Sequence, residues 1–160
     1  MYNGKSVAGA FVECGVTHVV WIPDSETGKW DQAFEDAEDL SIVRACREGE
    51  AFGIAAGLHV GGKRPVIIIQ CTGLFEAGDS LRNFIHDLRV PLFVLIGYRN
   101  YYAFQEGKSK DTAAKFAESI IRSWDIPFDL VEPKDGIREL SERYRAYLRS
   151  GRSAAVLLAE

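Results

Sequence analysis

A chain of 160 residues, 47% hydrophobic and 26% charged with a net charge of −4, has apolar material for one core and too little for two, and is not disordered. Its apolar runs, Pro65 to Ile69 ahead of Gln70 among them, fall far short of the roughly 20 residues of a bilayer span. The 19 Lys and Arg residues are dispersed, densest from Arg138 to Arg152, which argues against nucleic acid as a partner.

The N-terminus, Met1 to Lys5, leads into an amphipathic segment without the apolar stretch of a signal peptide, so a cytoplasmic protein is expected. Cys14, Cys46 and Cys71 are odd in number and far apart, which predicts buried reduced thiols, neither a disulfide framework nor a metal site. His18, His59 and His86 lack metal-ligand spacing and read as structural.

Lys5 to Cys14 has the helical spacing Val7, Ala8, Phe11, Val12, with Gly15 as a stop. His18 to Ile22 is a β-branched run closed by Pro23, a strand. Glu26 to Ala37 is predicted as helix on an inner stripe of Trp30, Ala33 and Phe34, and Leu40 to Ala45 as strand. Glu48 to Val60 is a helix ended by Gly61-Gly62. Pro65 to Cys71 has the unbroken apolar character of a strand buried on both faces.

Glu76 to Leu88 is predicted as helix and Pro91 to Gly97 as strand. Tyr98 to Lys110 is irregular. Asp111 could cap a helix running to Trp124. A brief strand, Pro127 to Val131, follows, then a helix capped by Asp135 and ended by Gly151, and a last strand, Ala154 to Leu158. Near-strict alternation of strand and helix predicts a three-layer α/β/α domain on a six-stranded parallel sheet, with residues 1–160 as one domain.

Ligands of such sheets bind beyond the carboxyl ends of the strands. The loops there are Pro23 to Glu26, Cys46 to Glu50, Gln70 to Glu76 and Tyr98 to Tyr102. Gly57 to Arg64 approximates a phosphate loop, but it leaves a helix and enters a strand, the reverse of what phosphate binding needs. No Gly-x-Gly-x-x-Gly follows the first strand.

What stands out is a strand running into Arg47-Glu48-Gly49-Glu50-Ala51, a carboxylate pair on the first turn of a helix of small residues, where the dipole favours negative charge. Two residues along a helix is about 200° of rotation, so Glu48 and Glu50 cannot face the same ligand.

Glu48-Gly49-x-Ala51 followed by Ala55-Ala56-Gly57 resembles the pyrimidine-binding domain of thiamine-diphosphate enzymes. Gly15 to Ser25 resembles its first strand and turn, Val66 to Leu74 its Gln-x-Ser/Thr-Gly-Leu segment, and Pro91 to Gly97 the next strand. The resemblance spans essentially the whole chain and points within the family to the sulfopyruvate and phosphonopyruvate decarboxylases. One departure is Phe75-Glu76, where those enzymes usually continue with Gly-Asn. An anionic substrate would meet Glu76 badly unless Arg47, Arg99 or a partner residue compensates.

The resemblance implies a thiamine-diphosphate-binding fold of pyrimidine-domain type and the alpha subunit of a two-subunit decarboxylase of a small 2-keto acid. Glu48 is the implied catalytic acid, bonded to the pyrimidine nitrogen N1′, because the register counted to Gly57 selects it over Glu50. Gln70, Thr72 and Gly73 would line the pyrimidine, with Leu74 and Phe75 as wall. Asp24, Ser25 and Glu76 would lie on the substrate side.

The family's metal motif, Gly-Asp-Gly, is absent, so Mg2+ and the diphosphate would be held by a separately encoded beta subunit, in a hetero-oligomer with two or more copies of each chain. The small-residue helix and the aromatics Trp30, Phe75, Tyr101 and Tyr102 are expected to supply contact surface. A non-catalytic assembly or regulatory partner of the same fold is the alternative.

Overall fold

A computed structural model describes residues 2–160. Six parallel strands form one sheet: β1 (His18–Trp21), β2 (Ser41–Arg44), β3 (Pro65–Gln70), β4 (Phe93–Tyr98), β5 (Phe128–Val131) and β6 (Ala154–Ala159), in the order β2-β1-β3-β4-β6-β5. The helices are α1 (Gly4–Glu13), α2 (Asp31–Glu35), α3 (Glu48–Val60), α4 (Cys71–Arg82), α5 (Tyr101–Gln105), α6 (Ala113–Ser123) and α7 (Ile137–Ser150). None is long and apolar enough to cross a membrane.

The pleat of the central strands sorts the core into two layers. Val66 and Ile68 of β3 pack with Phe11 of α1, Phe34 of α2 and Tyr144 of α7. Ile67 and Ile69 join Phe52 of α3, Leu74 of α4 and Ile121 of α6 on the other face. All four β3 residues are fully buried, and burying one such side chain contributes about 1.5–3 kcal/mol. The three-layer expectation therefore holds, down to the doubly buried β3.

The sheet order makes a crevice. From β1 the chain moves outward to β2, then returns past β1 to β3. The connection after β1 carries α2 to one face and that after β2 carries α3 to the other. The two sets of loops thus part between β1 and β3 at the carboxyl edge, the place where open α/β sheets bind ligands.

Several sequence expectations are corrected. Glu26 to Ala37 is not one helix: a tight turn over Thr27–Trp30 precedes the short α2, because Asp24 draws the N–H groups of Glu26 and Thr27 onto its own side chain. Gln70 to Glu76 is not a loop. Helix α4 starts at Cys71, directly after β3, and later widens into a π turn over Asn83–Asp87.

Asp135 does not cap α7. It reciprocates with Glu132 around a separate turn, Pro133–Asp135. The Tyr98 to Lys110 stretch contains the short α5. Cys46 is exposed while Cys14 and Cys71 are buried. Trp30 is a core residue, 1% exposed, donating its ring N–H to the Tyr2 carbonyl at 2.9 Å, and offers nothing to a partner. The small face of α3 is also partly spent within the chain, since Gly49 approaches Ser80 and Gly53 approaches Phe84.

Candidate active site at the carboxyl edge of the sheet

Helix α3 runs over the residues expected from sequence, Glu48–Val60, with Arg47 as its extended N-cap residue. Arginine has no acceptor, so the cap side chain satisfies none of the orphan first-turn N–H groups. The carboxylates around it settle the matter differently. Glu50 turns back, its Oε2 accepting the Cys46 N–H at 2.9 Å. Glu76, from α4, accepts the Gly49 N–H on Oε2 at 2.8 Å, and on Oε1 both Nε and Nη2 of Arg47 at 2.8 and 2.5 Å. The Gly49 N–H first, then Arg47, hold the Glu76 carboxyl below the usual carboxylate range.

The Glu48 side chain takes part in none of these bonds. Its half-buried side chain lies against Gly73, so that a Cβ on Gly73 would sit 2.5 Å from Glu48 Oε1. Gly73 and Glu76 stand three apart on α4 and share the face turned to α3. The two helices thus exchange carboxylates: Glu48 over Gly73, Glu76 onto Gly49.

The other expected site residues lie around this pair. Thr72 Oγ1 donates to Gln70 Oε1 at 3.1 Å, and Arg99 reaches the same oxygen at 3.4 Å while its Nε pairs with Asp111 at 3.1 Å. Leu74 is in the core, 1% exposed, backing Gly73 from below. Phe75 is half-buried against the same core. Glu76, expected on the substrate side, has both oxygens engaged as described.

Beyond β1, β4 and β6 a cleft of about 550 Å³ is lined by Ser25, Glu26, Arg99, Asn100, Tyr102 and Glu160, among others. Asp24 is fixed beside it, Oδ1 accepting the N–H groups of Glu26 and Thr27 at 2.7 Å each. Its Oδ2 and Glu160 Oε1 are both buried without a hydrogen-bond partner, and both converge on the space above Gly97, where a Cβ would lie 2.5 Å from Glu160 and 3.4 Å from Asp24. Burial, then the charges of Asp24 and Glu26, push the Glu160 carboxyl up to about 7.

Glu160 and Gly97 were not singled out in the sequence. The available signal was a carboxylate following directly on a buried parallel strand, at the edge where ligands bind.

The family described as the thiamine pyrophosphate enzyme, N-terminal TPP binding domain, matches residues 1–117. The chain belongs to this family. It is similar to the sulfopyruvate decarboxylase subunit alpha of Methanothermobacter thermautotrophicus, 29% identical over 163 residues, covering 98% of this chain and 94% of that one. It is also similar to the protein of the same name from Methanococcus maripaludis, 22% identical over 99 residues, covering 62% and 59%.

Among solved structures it resembles benzoylformate decarboxylase from Polynucleobacter necessarius, with a TM-score of 0.74 and 19% identity over 99% of this chain and 30% of that chain. That likeness concerns the fold alone.

The residues present fit that cofactor. Glu48 offers a carboxylate that no neighbouring bond in this cluster consumes, and Gly73 leaves bare the space beside it. A ring nitrogen able to share a proton is a suitable partner for such a group.

Proposed function

We propose that this chain is the alpha subunit of a two-subunit thiamine-diphosphate-dependent decarboxylase acting on a small anionic 2-keto acid of the sulfopyruvate kind. The observation that most supports this is Glu48, seated against Gly73 at the head of α3 with its carboxylate outside the surrounding hydrogen-bond cluster. The names of the two relatives, each a sulfopyruvate decarboxylase subunit alpha, support the substrate class and the subunit role.

In this reading Glu48 holds a proton shared with the pyrimidine nitrogen N1′, the work of a positioned general acid–base. Gln70, Thr72 and Gly73 line the ring, with Phe75 as wall and Leu74 behind it. When bound, the cofactor supplies the electron sink for loss of carbon dioxide from the 2-keto acid. Asp24 and Ser25 face the substrate. Arg99 is the cation offered to its anionic group, and a neutral Glu160 would not repel that group.

The sequence contains no Gly-Asp-Gly, so Mg2+ and the diphosphate are assigned to a separately encoded beta subunit, in a complex holding two or more copies of each chain.

The test is reconstitution with that partner. Carbon dioxide release from sulfopyruvate should require both chains, the cofactor and Mg2+, and Glu48→Gln should lower it roughly 100- to 10,000-fold, the range of general acid–base help. A fully active Glu48→Gln complex would remove Glu48 from this role.

A further inference from the structure

We infer that Glu76 is a positioning residue: it acts as an N-cap lent to α3 by the neighbouring helix and thereby holds Glu48 over Gly73. The inference rests on the catalytic reading of Glu48 and extends it to the residues that fix its place.

Helix α3 has no side-chain cap of its own, and Glu50, at the capping-box position, bonds backward to Cys46. The first-turn N–H of Gly49 is taken instead by Glu76 Oε2 at 2.8 Å. This is the bond an Asp or Ser cap would make from within the helix. The other oxygen, Oε1, receives the guanidinium of Arg47 through Nε and Nη2.

One carboxylate therefore grips the residues immediately before and after Glu48, by side chain on one side and by backbone on the other. The backbone of Glu48 is held between two charge-assisted contacts, and these are stronger than neutral ones. Gly49 is part of the device, since its missing side chain admits α4: a Cβ there would meet Ser80 Oγ at 3.0 Å and Glu76 Oε2 at 3.6 Å.

The alternative, a carboxylate serving the substrate, leaves both engaged oxygens unexplained.

Two kinds of readout separate the clamp from the chemistry. In the full chain without cofactor, Glu76→Ala should reduce hydrogen-exchange protection of the Gly49 amide by tenfold or more and abolish the nuclear Overhauser contact between Glu48 and Gly73. Arg47→Ala should weaken both to a lesser degree. Glu76→Gln, which keeps an acceptor for Gly49, should restore most of the protection.

In the complex with the beta subunit, Glu76→Ala should slow exchange of the cofactor's C2 proton about tenfold, leave cofactor affinity nearly unchanged, and be rescued in part by Glu76→Gln. Wild-type Gly49 protection and an intact Glu48–Gly73 contact in Glu76→Ala would overturn the inference, as would lost protection with wild-type C2 exchange. A normal C2 exchange rate in Glu48→Gln beside a lost Glu48–Gly73 contact in Glu76→Ala would instead count against the catalytic reading and leave the clamp standing.

Discussion

Glu48 occupies the space that a side chain on Gly73 would need: a Cβ there would fall 2.5 Å from Glu48 Oε1, where no real contact is tolerated. The two residues belong to different helices, each starting at the carboxyl end of its own strand. Their juxtaposition is what places a carboxylate of α3 beside the first turn of α4.

Gly73→Ala should therefore separate stability from activity. Alanine is favoured over glycine inside a helix by roughly 1 kcal/mol, and the colliding atoms belong to the flexible Glu48 side chain, which can swing away. The thermal midpoint of the variant chain should stay near wild type while C2-proton exchange in the complex falls at least as far as in Glu48→Gln. A large loss of stability with normal exchange would contradict this.

Glu50 is the control for Glu48. Its carboxylate accepts from Cys46 on the exposed loop ahead of α3, and glutamine can make the same bond. Glu50→Gln should change stability by less than about 0.5 kcal/mol, as surface substitutions generally do, and should leave C2 exchange near wild type. A collapsed rate in Glu50→Gln beside a normal one in Glu48→Gln would reverse the assignment.

The pair above Gly97 predicts a pH dependence of stability. Burial and Asp24 raise the Glu160 carboxyl from the ordinary 4.5 to about 7. Between those values the unfolded chain releases a proton that the folded chain retains. Stability from this group is therefore greatest below about pH 4.5, falls as pH rises through the window, and levels off above about 7. Denaturant midpoints measured across that range should show the fall, and Glu160→Gln should remove this group's share of it. An identical slope in the variant would refute the assignment.

Cofactor binding by the chain alone should be feeble. With no Gly-Asp-Gly in the sequence, the contacts to diphosphate and Mg2+ that would dominate affinity are expected from the partner, since Mg2+ sites of this kind rely on carboxylates plus substrate phosphates. Calorimetry with thiamine diphosphate and Mg2+ should detect only weak heats without the beta subunit. Micromolar binding by the lone chain would end the half-site proposal.

How far each residue could be read from sequence follows from the range of the forces acting on it. The spacing of Ala51, Ala55 and Leu58 determines α3, and the β-branched run at Val66 to Ile69 determines a doubly buried strand, because both rest on local periodicity. The small residues after Glu48 carried the family resemblance for the same reason.

Thr72 and Gly73 are locally turn-forming, and they look like a loop until Glu48 packs over Gly73 and α4 is seen to begin at Cys71. Glu76 is engaged by Arg47 and the Gly49 N–H, 29 and 27 residues away in the chain, a contact no local pattern announces. Asp24 and Glu160 meet only because β1 and β6 flank β3 and β4 in one parallel sheet. Local pattern determined the elements. Only the tertiary structure decided which carboxylates are spent on capping and ion pairing and which stay available, because hydrogen-bond satisfaction depends on neighbours brought in from distant parts of the chain.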